Sequence, residues 1–282
     1  MSVSMRPVAE KPVARYGLDF CTSNPMNENA ILVTGSAGRL GRAMCRALVA
    51  TGCTVRGYDF RETPVAGVQS HVAGLLDDTA LSLAVGGARA VIHLAATPDD
   101  SPYPPEVLNN FEVDLVPNNI VGTYRVLEAC RRVGVSKVLL ASTVQVIDGQ
   151  LTARNTPVTL GAAYRPRYLY ACTKVMAEQL GRVYAEQHNL KVLVVRFGWC
   201  PRDPAQVAEI AADAEAQDLY LSPGDVGRYA VAFARCDTLP AFSTLYCVSK
   251  PLQHTTYDMA PTRKLLGFVP QDSWPTGCSS EE

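Results

Sequence analysis

The tightest constraint on what this chain can fold into is the stretch Ile31-Leu-Val-Thr-Gly-Ser-Ala-Gly-Arg-Leu-Gly41. The apolar run Ile31 to Val33 reads as a buried strand. It meets a turn carrying Gly35, Gly38 and Gly41, and a helical pattern follows from Leu40 to Leu48. Strand, glycine turn and helix in this order make the first βα unit of a dinucleotide-binding fold. Glycine is demanded there for physical reasons. A tight turn needs a residue free of Cβ strain, and a pyrophosphate has to approach bare backbone. The helix N-terminus then offers unpaired N–H groups and a positive dipole end. A plain tight turn would satisfy the same spacing, so the remaining chain must supply the context.

It does so by alternation. Cys53–Asp59 is a short strand ending in an acid, eighteen positions beyond Gly41. An acid there accepts hydrogen bonds from the adenosine ribose hydroxyls and repels a 2′-phosphate, which favours NAD over NADP. Arg39 and Arg61 weigh the other way, since either could reach a phosphate. Gly67–Val72 is a third strand and Asp77–Val85 a helix. Ala90–Ala96 is an apolar strand whose small end (Leu94, Ala95, Ala96) lets a flat cofactor lie across the sheet edge. Pro98, Pro102, Pro104 and Pro105 make Thr97–Pro105 a loop, placed where substrate-facing residues such as Thr97 tend to sit. Helical signal resumes near Glu106, is interrupted at Pro117 and continues through Asn119–Cys130 to a stop at Gly134. Lys137–Ala141 is a strand ending in Ser142-Thr143. After a loop at 149–166, Tyr168–Gln187 reads as a long helix and Lys191–Phe197 as a sixth strand. Six strands alternating with helices predict an α/β, doubly wound parallel sheet, the Rossmann fold.

The expected division is a flexible arm at 1–29, a cofactor-binding domain at 30–197 and a small C-terminal substrate-binding region at 198–282. The arm holds Pro7, Pro12 and Pro25 and no sustained period; Met5 and Met26 offer alternative starts. Beyond Gly198 the rhythm breaks into a loop at Trp199–Pro204 and helices at Ala205–Gln217 and from Ser222 to about Cys236. A strand at Phe242–Val248, a short helix at Asp258–Leu266 and a loose tail past Gln271 follow. These residues have too few apolar positions for a core of their own and should lean on the first domain as one wall of a cleft. Nine scattered cysteines without a C-x-x-C argue against a disulfide framework or a metal site and for a reducing, cytoplasmic setting. A net charge of −1 gives no sign of a nucleic-acid partner. No apolar stretch reaches the ~18 residues of a membrane span, and the N-terminus carries no secretory signal.

Tyr170-Ala-Cys-Thr-Lys174 puts a phenol and an ammonium on one helical face. A neighbouring ammonium favours the phenolate and makes tyrosine usable as an acid/base near neutral pH. Thr143 ends a different strand at the same sheet edge, where its hydroxyl can hold the substrate oxygen whose proton moves.

With these residues in place, the chain resembles the extended short-chain dehydrogenase/reductases, the NAD-dependent epimerase/dehydratase family. The likeness runs from about Ile31 to Phe197 through Thr34–Gly41, Asp59, His93–Ala96, Asn119–Thr123, Ser142-Thr143, Tyr170 to Lys174 and Arg196–Gly198. It implies NAD binding by Gly35, Ala37, Gly38, Arg39, Leu40, Gly41, Asp59, Leu75, Leu94, Ala95, Ala96, Asn119, Ala141, Tyr170 and Lys174. It implies catalysis by Thr143, Tyr170 and Lys174, and a homodimer seam built from the helices around 117–133 and 168–187. Within the family the wording and the short C-terminal part are similar to uronate dehydrogenases, which oxidise a free hexuronic acid. The departures fall on the substrate side. Gly74-Leu75 replaces the usual D-L step. Gln145 stands where those enzymes place a histidine and Trp199 where they place a serine. Their carboxylate-binding arginine has no clear counterpart beyond Arg202 or Arg165. Thr97, Thr143, Gln145, Trp199 and Arg202 are therefore the candidate substrate-binding residues. The leading expectation is an NAD-dependent oxidoreductase acting on a hydroxyl of a small sugar or sugar acid. The alternatives are a nucleotide-sugar epimerase/dehydratase and a non-catalytic dinucleotide-binding regulator.

Overall fold

The computed structural model describes residues 29–98, 110–150 and 157–278. The arm expected at 1–29 lies outside them apart from Asn29, as do most of the Thr97–Pro105 loop and the helix start near Glu106. β1 (Ala30–Thr34), β2 (Val55–Asp59), β3 (Val68–Val72), β4 (Ala88–His93), β5 (Lys137–Thr143), β6 (Lys191–Phe197) and β7 (Phe242–Cys247) form one sheet in the order β3-β2-β1-β4-β5-β6-β7. Every pairing is parallel.

Parallel central strands are covered on both faces, so their sequences are apolar throughout rather than alternating. In β1, Ile31 and Val33 face one core and Leu32 the other. The first core is capped by α1 (Arg39–Ala50) and α7 (Pro223–Arg235), through Met44, Leu48, Val226 and Phe233. The second is capped by α2 (Asp78–Val85), α3 (Gly122–Val133) and α4 (Leu169–His188), through Leu81, Leu127 and Ala177. Gly134 ends α3 with φ +74°, where a side chain would be strained. The strand order reverses between β2-β1 and β4, so the carboxyl ends of β1 and β4 open the crevice in which such sheets hold ligands.

Four local expectations are corrected. Pro117 does not interrupt its helix. It lies within an unbroken π-helical stretch, Phe111–Val121, that runs straight into α3. The wider i→i+5 ladder, seen as Gly122 N–H donating to the Pro117 carbonyl, accommodates a residue that lacks an N–H. The single helix expected at Ala205–Gln217 is two, α5 (Pro204–Ala212) and α6 (Ala214–Asp218). Asp213 breaks the run by turning extended and capping the second helix through Glu215 N–H. The strand expected at Phe242–Val248 does not stand apart from the six-stranded sheet: as β7 it pairs with β6 and makes a seventh strand, and α7 packs on α1. The tail past Gln271 is tied down as far as Cys278. The Asp272 carboxylate accepts from Ser222 Oγ at 2.6 Å and from Arg228, Trp274 packs edge-on against Tyr220, and Thr276 O accepts from Tyr220 Oη at 2.6 Å. The last short helix, α8, spans Ala260–Leu266.

Candidate active site

The glycine turn is tighter than any other residue would permit. Gly35 sits at φ +70°, and a Cβ there would lie 2.7 Å from Ala95 N; a Cβ on Gly41 would lie 2.1 Å from Gly35 O. The first turn of α1 has no side-chain cap on its N–H groups and no acidic residue. An uncapped helix start reached through bare backbone fits the pyrophosphate of a dinucleotide. At the tip of β2, Asp59 is held by two backbone donors, Ala37 N–H and Arg61 N–H, both at 3.1 Å. That fixes its carboxylate beside the turn, where it suits a ribose diol and opposes a phosphate.

The crevice continues as a cavity of about 210 Å³. Gly35, Gly38, Leu40, Gly41 and Leu94 line one side, and Ala141, Ser142, Thr143, Tyr170, Lys174, Phe197 and Gly198 the other. Thr143 is the last residue of β5, and Tyr170 and Lys174 lie in the first two turns of α4. The Lys174 ammonium donates to Ala141 O at 3.2 Å and lies 5.6 Å from the centre of the Tyr170 ring. Burial pushes this lysine down to about 8. A dehydrated ammonium beside a phenol, with a hydroxyl on the facing strand end, can hold an alcohol and move its proton. Among the described residues no His, Cys, Asp or Glu group is arranged to hold a metal ion. A larger concavity of about 920 Å³ lies between α7, α8 and the end of α1, away from all the residues singled out for chemistry.

Asn119 serves the loop after β4. Its amide donates to Thr97 O at 3.0 Å and to Thr173 Oγ1 at 3.1 Å, and its carbonyl accepts from Thr97 N–H at 2.7 Å. Gln145 lies just past Thr143, its backbone N–H donating to Thr143 Oγ1 at 3.3 Å. Four further predicted residues do not line this cavity. Leu75 is buried against Gly122, at the start of α3. Arg39 reaches Gly277 O at 3.3 Å. Trp199 packs on the satellite cluster of Ile210, Ala216 and Tyr220. Arg202 is exposed at the start of α5, its backbone N–H donating to Gln206 Oε1.

Two further buried groups stand behind the site. Burial, together with the Lys174 charge, drives the His93 imidazole down to about 3. Its nitrogens pair with Thr34 Oγ1 at 2.7 Å and Thr123 Oγ1 at 3.2 Å. It is a neutral brace between β1, β4 and α3. Glu178 and Arg196 form a bidentate pair with two 3.0 Å bonds, both side chains nearly inaccessible. The signal for Glu178 was present: it stands four positions after Lys174, on the same helical face.

These features agree with what the chain is similar to. The model of the NAD dependent epimerase/dehydratase family matches residues 31–199. The L-arabinose 1-dehydrogenase (NAD(P)(+)) of Haloferax volcanii is 35% identical over 210 residues, covering 69% of this chain and 78% of that protein. The NAD-dependent glucose-6-phosphate dehydrogenase of the same organism is 27% identical over 270 residues, covering 87% and 94%. The crystal structure of glucuronic acid dehydrogenase from Chromohalobacter salexigens superposes with a TM-score of 0.71 at 27% identity, covering 87% of this chain and 85% of that one. With the family model spanning more than half its length, this chain belongs to the NAD dependent epimerase/dehydratase family, the extended short-chain dehydrogenase/reductases.

Proposed function

We propose that this chain is a dehydrogenase of a free, monosaccharide-sized sugar or sugar acid, with NAD as its cofactor. The observation that carries the reading is the Lys174 ammonium, buried between the Tyr170 ring and the end of β5 in the cavity that begins at the glycine turn. NAD, when bound, supplies the hydride acceptor. Thr143 orients the sugar hydroxyl, Tyr170 takes its proton, and Lys174 steadies the resulting phenolate. Asp59 and the uncapped start of α1 hold the dinucleotide. Thr97 and Gln145 border the sugar. Relatives acting on arabinose, glucose 6-phosphate and glucuronic acid support a small substrate, and they differ in which one.

Tyr170→Phe is expected to lower turnover at least ~100-fold while NADH still binds. Full activity in that variant would remove the reading. A screen of free uronic acids, aldoses and nucleotide sugars, followed by NADH absorbance, identifies the substrate. Conversion of a nucleotide sugar with no net NADH would mean an epimerase instead. The exposed apolar side chains Tyr124 on α3 and Met176 and Val183 on α4 support a homodimer through these helices. The eight cysteines among the described residues are free thiols, which supports a reducing, cytoplasmic setting.

A further inference from the structure

Two rungs join α4 to the end of β5, one helical turn apart. The upper is Lys174 Nζ donating to Ala141 O at 3.2 Å. The lower is Ser142 Oγ donating to Glu178 Oε1 at 2.5 Å. The next residue is Thr143. Glu178 does more than hold this strand. Its carboxylate also accepts from Tyr164 Oη at 2.8 Å, on the loop leading into α4, and from Arg196 Nε and Nη2 at 3.0 Å, on β6. Two hydroxyls and two guanidinium N–H groups thus fill its acceptor positions. The Arg196 guanidinium in turn lies 5.4 Å from the Tyr164 ring centre and 5.9 Å from that of Tyr246 on β7.

A buried ion pair of this kind is rarely the most stabilising filling for its volume, because dehydrating both charges offsets their attraction. What it supplies is a fixed angle and distance between the segments it joins.

We propose that Glu178 and Arg196 are positioning residues for the dehydrogenase reaction: their pair sets the reach of Thr143 and Tyr170 to one substrate oxygen by clamping the β5 end and the Tyr164 loop onto α4. The proposal rests on the dehydrogenase reading for its kinetic consequence and on geometry for the clamp. Neither residue touches the reacting atoms. Both act through Ser142 and Tyr164.

Ser142→Ala and Tyr164→Phe each remove one spoke and leave the ion pair intact, so folding is not at stake. Each is expected to lower kcat on the sugar about tenfold, with the NADH dissociation constant held within about twofold. In the double variant the losses should combine to less than their product, because both pass through one carboxylate. Arg196→Lys should not rescue, since an ammonium cannot donate in bidentate fashion. Amide exchange, measured without any sugar, should quicken over 137–146 and 157–168 in both single variants and stay unchanged over 30–98. Unchanged exchange overturns the clamp. So do kcat values within about twofold of wild type, fully multiplicative losses, or NADH affinity falling in parallel with kcat. Quickened exchange in a protein that oxidises no sugar would support the clamp and count against the dehydrogenase reading alone.

Discussion

Around β1 the molecule is closed by apolar side chains and bare glycine backbone, whereas beyond Gly198 buried carboxylates join the apolar packing. On the nucleotide side, all five residues of β1 are buried and Gly35 and Gly41 bring backbone against backbone. The C-terminal region uses charge. Asp225, fully buried at the start of α7, accepts from Arg228 at 2.8 and 3.0 Å, from Ser249 Oγ at 2.7 Å, and from the N–H groups of Gln271 and Asp272. Asp218 accepts from three consecutive N–H groups, Leu252, Gln253 and His254, at 2.8–2.9 Å. One side is held by area removed from water, which is spread over many residues. The other adds, to the apolar cover supplied by α7 and β7, a few groups that each join several loops, and those loops should fail at single points.

The sharpest way to break this contrast is Asp225→Ala. It leaves the Ser249 hydroxyl and two backbone N–H groups without their acceptor, so a loss of about 3 kcal/mol or more is expected, read as a lowered urea midpoint. A loss under about 1 kcal/mol would mean that apolar packing alone holds the C-terminal region. Gly41→Ala probes the nucleotide side. Its Cβ would press on the Gly35 carbonyl and force α1 away from the turn. NADH binding, followed by fluorescence titration, should weaken about 100-fold, or ~2.7 kcal/mol. The smallest effect concerns the neutral brace His93. Its folded value of about 3 lies below the ordinary 6.5, so above pH 6.5 neither state binds the proton. Below it only the unfolded chain does, and stability falls with falling pH by ~1.4 kcal/mol per unit. Between pH 7.5 and 5.5, His93→Asn should lose about that much less than wild type, each measured against its own value at pH 7.5.

What the sequence disclosed follows the same divide. Apolar runs and glycines speak for themselves, so β1, β5 and β6 and the turn at Gly35–Gly41 were legible, as were Thr143, Tyr170 and Lys174 on one crevice. Pro117 misled because the usual rule assumes an α-helical ladder, and a π-helical one obeys different sterics. Asp213 looked like one more polar residue on a helix and is instead the cap that divides it. Asp218 and Asp225 drew no attention, because nothing local marks a carboxylate most of whose donors come from distant loops, whereas Glu178 at least shared a helical face with Lys174. The substrate side was the least legible: Trp199 and Arg202 sit where α5, α6 and the tail carry them, which depends on folding beyond any motif.

The divide is bridged at the start of β5 as well. Lys137, at the start of β5, donates its ammonium to the carbonyls of Phe233, Ala234 and Cys236 at the end of α7, at 2.7–3.1 Å. A shortened protein stopping after β6 would take away that cation's acceptors and strip the cover from α1. It would not be a minimal nucleotide-binding module. Anyone grafting the C-terminal part of a relative to change sugar preference must therefore transplant β7 and the whole of α7 as well, so that this lysine finds its acceptors again.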